Sequence, residues 1–279
     1  MSEPGLVDSV DRENPASSSR SEQPPLPTFL IIGAQKSATR WLRINLGEHP
    51  DIFTAAKELE FFDRRYDQGL DSYRAGFEGW GGEPFVGEST PGYMLIWETH
   101  PRTAAKRIDR TLPDVRLIAL LRNPVDRTYS AFLHHVARGR IPPDADLLET
   151  VDRVRPSRDG LSLVSGGWYA RCLKPYRRRF GDRLLVLLQD DVAADPQGAY
   201  DRAVAHIGAT PGFTPPQLDR VRFQSETELP PETARLDANG QRRPLDPDER
   251  RILYRHFRRD IARLERMFDL DLSRWKPEP

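Results

Sequence analysis

Thr28-Phe29-Leu30-Ile31-Ile32-Gly33-Ala34-Gln35-Lys36-Ser37-Ala38-Thr39-Arg40-Trp41-Leu42 is the stretch on which the fold turns. Its first five residues are a short apolar, β-branched run between Pro27 and Gly33, the pattern of a strand buried on both faces. From Ser37 onward Trp41, Leu42, Ile44 and Leu46 fall among Arg and Asn at roughly helical spacing, and His49-Pro50 stops the pattern. Strand, tight turn and helix therefore succeed one another. The same apolar run recurs at Pro84–Gly87, Val115–Leu121 and Arg183–Leu188. Helical stretches are predicted between these runs at His100–Leu112, Val125–Ala137, Trp168–Phe180 and Tyr200–Ile207, and a last one at about Asp248–Met267. Buried strands alternating with helices predict an α/β fold, a single domain with a central parallel sheet flanked by helices on both faces.

The flanks and the composition bound the rest. The chain has 279 residues, which at ~150 residues per domain is fewer than two domains. Residues 1–26 are rich in Ser, Pro, Glu and Asp and read as a disordered tail, leaving 27–279 as the domain. The stretch Pro211–Pro247 is Pro-rich and polar and too long for an ordinary connector, so it is either disordered or a functional loop. Forty-two Lys and Arg balance forty-two Asp and Glu, so no overall field draws the chain to nucleic acid or to a membrane. Neither a signal-like N-terminus nor a run of ~18 apolar residues is present, and the expectation is a cytoplasmic protein. The single Cys172 excludes an intramolecular disulfide, and no Cys/His spacing of the metal-binding kind occurs, so no metal is expected. Only five basic residues are Lys against 37 Arg, a skew that points to a GC-rich bacterial genome and makes Lys36 conspicuous.

In open α/β sheets ligands bind beyond the carboxyl ends of the strands, and Gly33–Arg40 lies at such an end and opens a helix. Turn N–H groups, the helix N-terminus, the hydroxyls of Ser37 and Thr39 and the charge of Lys36 together make an anion site. An ordinary β–α turn with a surface Lys is the plainer alternative. It is not a Walker A loop, because the second Gly and the Lys-[Ser/Thr] pair are missing. Arg116–Ser130 repeats the logic at the next strand end, where Arg122 and Ser130 could both reach one dianion. Arg122 could instead pair with Asp126 or Glu88.

The run Gly33–Leu42 resembles the 5′-phosphosulfate loop of sulfotransferases that use 3′-phosphoadenosine 5′-phosphosulfate (PAPS), particularly the branch shared with heparan sulfate and other carbohydrate sulfotransferases. The resemblance continues through Lys57-Glu58-Leu59-Glu60-Phe61-Phe62-Asp63 and Glu88-Ser89-Thr90-Pro91-Gly92-Tyr93, with Ser89 where many members have Lys. It extends to Arg122–Ser130, similar to the 3′-phosphate site, to Leu185–Pro196, and to Asn239-Gly240-Gln241-Arg242-Arg243, similar to the loop that covers the 3′-phosphate. The likeness runs over about residues 28–275 and implies a P-loop-like sulfotransferase fold. It implies transfer of a sulfuryl group from PAPS to a hydroxyl, or an amine, of a carbohydrate or secondary-metabolite acceptor by in-line displacement, with PAP as the second product.

Carried onto this sequence, Gln35, Lys36, Ser37, Ala38, Thr39 and Arg40 bind the 5′ end of the donor, while Arg122, Ser130, Gly240, Gln241, Arg242 and Arg243 bind its 3′-phosphate. Lys36 stabilises the leaving group, Glu58 takes the acceptor proton and Glu88 supports them. Glu60 sits where relatives often carry His or Gln and could share the role of Glu58. Arg74, Arg138 and Arg140 could meet an acidic acceptor, and Trp80, Trp97 and Trp168 could stack on sugars or rings. A kinase or nucleotide hydrolase is the alternative, with Leu184–Leu188 and Asp190-Asp191 as its Walker B strand; a non-catalytic nucleotide-binding protein is the third. Arg177-Arg178-Arg179 reads as a solvated helix face, His134-His135 as neighbours that point different ways, and Cys172 as a small core residue.

Overall fold

The apolar run that opens the quoted stretch forms β1 (Phe29–Gly33), buried at every position. It is joined by β2 (Ile52–Thr54), β3 (Phe85–Ser89), β4 (Arg116–Leu121) and β5 (Leu184–Leu188). All neighbours are parallel, in the order β2-β3-β1-β4-β5. The chain leaves β1 toward one side of the sheet and returns to build the other, which makes the carboxyl end of β1 the place where ligands bind in such sheets. The computed structural model describes residues 24–95, 101–153, 160–220 and 229–277.

Ten α-helices are described: α1 (Thr39–Gly47), α2 (Gly69–Arg74), α3 (Pro101–Thr111), α4 (Pro124–Ala137), α5 (Leu147–Arg153), α6 (Tyr169–Phe180), α7 (Gln189–Ala194), α8 (Pro196–Ile207), α9 (Pro247–Tyr254) and α10 (Arg258–Phe268). Alternation along each strand divides the core. Leu30, Ile32, Leu117, Ala119 and Leu121 face one cluster with Ile108, Phe132, Leu173, Tyr176 and Leu264, while Phe29, Ile31, Ile118 and Leu120 face another with Leu42, Leu46, Tyr200 and Val204. Helices therefore cover both faces, as expected for parallel strands. Gly87 of β3 is required at its register position opposite Phe29, since a Cβ there would stand 2.2 Å from the ring.

Three readings change. The edge strand β2 has only three residues, one of them buried, and is too short to show a period. The long last helix is two, α9 and α10: the His256 carbonyl accepts from the Trp168 indole at 3.1 Å, and the Asp260 N–H turns to Phe257 O at 2.9 Å, so the ladder breaks between them. Pro24 and Leu26, expected in the tail, are placed against the domain. The Pro24 carbonyl accepts from Arg74 at 2.6 Å and Leu26 packs on the core, while residues 1–23 lie outside the described residues. Within Pro211–Pro247, residues 229–247 are built rather than loose: Leu236 bridges Arg242, and Thr233 and Arg235 are buried.

Candidate active site

The turn after β1 is folded to present its backbone. Lys36 and Ala38 both sit in the left-handed region, at φ 70° and 64°, and Ala38 caps α1 without any side-chain bond. The N–H groups of Lys36, Ala38, Thr39 and Arg40 donate to no acceptor among the described residues. Four outward donors at a helix N-terminus form an anion cradle.

Five cations converge on this turn. Burial, with the charges of Arg127, Arg242, Arg122 and Arg138 adding to it, lowers the Lys36 ammonium to about pKa 8. Arg127 is completely buried and braces the turn from behind, donating to Gln35 O at 3.3 Å, to Gln35 Oε1 at 3.1 Å, to Leu163 O at 2.8 Å and to Ser162 O. The Gln35 amide is thus occupied by that brace. Arg122 leaves its Nη1 buried with no hydrogen-bond partner among the described residues. Neither expected carboxylate takes it: Asp126 pairs with Arg250 at 2.7 Å, and Glu88 is enclosed by hydroxyls. A buried guanidinium N–H without a protein acceptor beside the strand end is a donor suited to an anionic oxygen.

The loop at 240–243 is held onto α4. Arg243 O accepts from Tyr129 Oη, Asp237 Oδ1 accepts from the N–H groups of Asn239 and Gln241, and Gly240 turns with φ 71°. Arg242 is thereby brought within electrostatic reach of Lys36, whereas its neighbour Arg243, whose carbonyl Tyr129 holds, is turned to Glu249 at 3.4 Å. Ser130 is buried two turns into α4, Thr39 and Ser37 are buried in the turn, and Arg40 is exposed.

Glu58 and Glu88 part company. Glu58 is exposed to solvent at the lip, yet the surrounding protein desolvates its carboxyl enough, with Glu60 and Asp63 adding to the effect, to raise its pKa against the pull of Arg43 and Arg138. Arg138 lies within electrostatic reach of both Glu58 and Lys36. Glu88 has no exposed surface, and burial raises it to about 7. It therefore has no access to solvent. Glu60 pairs with Arg64 at 3.3 Å.

His134 faces Lys36 and Arg138, and burial together with those charges lowers it to about 4, while His135 turns away to Leu161 O at 2.8 Å. Cys172 is a buried thiol. Arg74 is held by Pro24, Trp80 donates to Glu83 O and Trp168 to His256 O, so these side chains serve the fold; Trp97 lies outside the described residues. Asp190 and Asp191 bind Trp275 and Arg274, which leaves no Walker B carboxylate at the turn. Among the described residues no cluster of His, Cys, Asp and Glu could hold a metal, and no helix is long and apolar enough to cross a membrane.

Residues 26–234 match the Sulfotransferase domain family. The chain belongs to that family. Among its relatives, mouse heparan sulfate glucosamine 3-O-sulfotransferase 6 is 32% identical over 183 residues, covering 65% of this chain and 52% of its own. Human heparan sulfate glucosamine 3-O-sulfotransferase 3B1 is 31% identical over 202 residues, covering 71% and 50%. The chain thus spans about half the length of the curated relatives it matches. A sulfotransferase structure from Alicyclobacillus acidocaldarius superposes with a TM-score of 0.71 at 28% identity, over 90% of this chain and 99% of that one. The fold is also shared with a mouse sulfotransferase complexed with PAP, at a TM-score of 0.52 and 14% identity over 89% and 86%.

Sequence reading gave Arg127 no role at this turn, offered Arg138 only as a residue that could meet an acidic acceptor, and set His134 aside. Arg127 lay inside the Arg122–Ser130 motif, and its role depends on a burial that spacing does not reveal.

Proposed function

We propose that the protein transfers a sulfuryl group from PAPS to a hydroxyl, or an amine, of a carbohydrate or secondary-metabolite acceptor. What carries the reading is the converging cluster of Lys36, Arg122, Arg127, Arg138 and Arg242 around a turn with four free N–H groups, a fixed positive site with the exposed carboxylate of Glu58 within electrostatic reach of Arg138. When bound, the donor supplies the sulfuryl group. The turn N–H groups and Thr39 hold its 5′-phosphate, and Arg122, Ser130 and Arg242 hold its 3′-phosphate. Lys36 neutralises charge that builds on the oxygen bridging phosphate and sulfate, a role that fixed cations also play in phosphoryl transfer. Glu58 receives the acceptor proton, and its raised pKa makes it a better base.

The test is ligand stabilisation. PAP at ~100 times its dissociation constant should stabilise the fold by about 2.7 kcal/mol, while adenosine 5′-phosphate and ATP with magnesium should do far less, because only PAP carries a 3′-phosphate for Arg122. Equal shifts with all three would refute a 3′-phosphate site. A screen of hydroxyl and amine acceptors with labelled PAPS then identifies the acceptor.

A further inference from the structure

Glu88 spends both carboxylate oxygens on hydroxyl groups. Oε2 accepts from Thr90 Oγ1 at 2.6 Å, and Oε1 accepts from Tyr93 Oη at 2.6 Å and from Tyr73 Oη at 3.2 Å. In its ionised form, which the hydrogen bonds of Thr90, Tyr93 and Tyr73 favour against burial, Glu88 only accepts; that fixes the direction of these O–H groups and frees the oxygen lone pairs of Thr90 and Tyr93. Those lone pairs take four consecutive backbone donors: Leu59 and Glu60 N–H reach Thr90 Oγ1, both at 3.2 Å, and Phe61 and Phe62 N–H reach Tyr93 Oη at 3.1 and 3.4 Å. The segment so gripped begins at the residue after Glu58. It also contains Glu60 at φ 52°, a left-handed conformation that a non-glycine residue keeps only when its surroundings impose it.

We infer that Glu88 is a positioning residue whose hydrogen bonds to Thr90 and Tyr93 lock the Leu59–Phe62 backbone and thereby aim the Glu58 carboxylate at the acceptor. The inference rests on the reading of Glu58 as the base. Tyr73 supplies the internal contrast, for it donates to the same carboxylate but touches none of the four N–H groups. A Gln at position 88 would bring an NH₂ donor to an oxygen that already receives N–H groups, so the grip would loosen with no change of shape.

Hydrogen exchange on the full chain, followed at the amides of residues 59–62 and, as reference, of β1, tests this in Glu88→Gln, Thr90→Val and Tyr73→Phe. Expected are exchange about tenfold faster at all four amides in Glu88→Gln and at Leu59 and Glu60 in Thr90→Val, with β1 unchanged and Tyr73→Phe affected less. NMR titration of Glu58, which faces Glu60, Asp63, Arg43 and Arg138, should show its midpoint falling toward the ordinary Glu range in Glu88→Gln and Thr90→Val. Unchanged exchange at residues 59–62, or loss of protection spread equally through β1, overturns the positioning role. Should Glu88→Gln fail to fold, Thr90→Val decides alone. Undiminished turnover in Glu58→Gln would overturn the base assignment while leaving the exchange result standing.

Discussion

Lys36 is the residue on which charge and burial act in the same direction. Its ammonium, lowered to about 8, loses its proton two to three units sooner than in an unfolded chain, where the value is 10.5. The anionic donor binds the protonated form, so affinity for PAP should fall by about tenfold between pH 7 and 9, and binding above pH 8 should take up a proton. Calorimetry in two buffers of different ionisation enthalpy measures both, and pH-independent affinity over that window would show that Lys36 does not touch the nucleotide. The sign for stability is opposite. Between pH 8 and 10.5 the unfolded chain binds more protons at this site than the folded one, so Lys36 makes stability rise with pH there. Lys36, Arg122 and Ser130 were legible in the sequence because strand ends followed by helices are where anions bind. Glu88 was named in the sequence as a support for Lys36 and Glu58; that Tyr73, Thr90 and Tyr93 enclose it is a tertiary fact without a period in the sequence.

At the scale of elements, what holds the helices in place comes largely from other elements. The first turn of α6 lacks a cap of its own, and the Asp260 carboxylate in α10 accepts from the Ala170 and Arg171 N–H groups at 2.8 and 3.2 Å. Asp260→Ala should therefore cost ~1–2 kcal/mol and lower the melting temperature by roughly 2–8 °C, even though it lies in a different helix from the one it caps. A thermal melt settles the matter, and an unchanged midpoint would mean that water replaces the carboxylate. Four of the five strands, and α1, α3, α4, α6 and α8, followed from apolar runs and helical spacing, since parallel strands buried on both faces leave an unbroken hydrophobic signature; the short helices α2, α5 and α7 did not. The break between α9 and α10 did not, because it depends on the Trp168 indole claiming the His256 carbonyl from 88 residues away.

Seen whole, the molecule is closed by residues beyond the matched family segment at 26–234. Leu253, Phe257, Ile261, Leu264, Leu272 and Trp275 all enter the larger core cluster, and the Trp275 indole donates to Asp190 Oδ2 at 2.8 Å just after β5. Trp275→Ala should cost ~3–5 kcal/mol, a large share of the ~5–15 kcal/mol that holds a domain together. Chemical denaturation should show the midpoint moved at constant slope, and a midpoint within error of the parent would mean that the C-terminal segment only rests on the sheet. The cationic ring around the Gly33–Arg40 turn has its own consequence for the catalytic cycle. Arg122 and Arg242 stand within electrostatic reach of Lys36 whether or not a sulfuryl group is attached, so on the proposed reading they grip donor and spent nucleotide nearly alike. Affinity shared by reactant and product does not hasten the chemical step; it lengthens the residence time of the product, and departure of the nucleotide, rather than bond breaking, becomes the event that paces turnover.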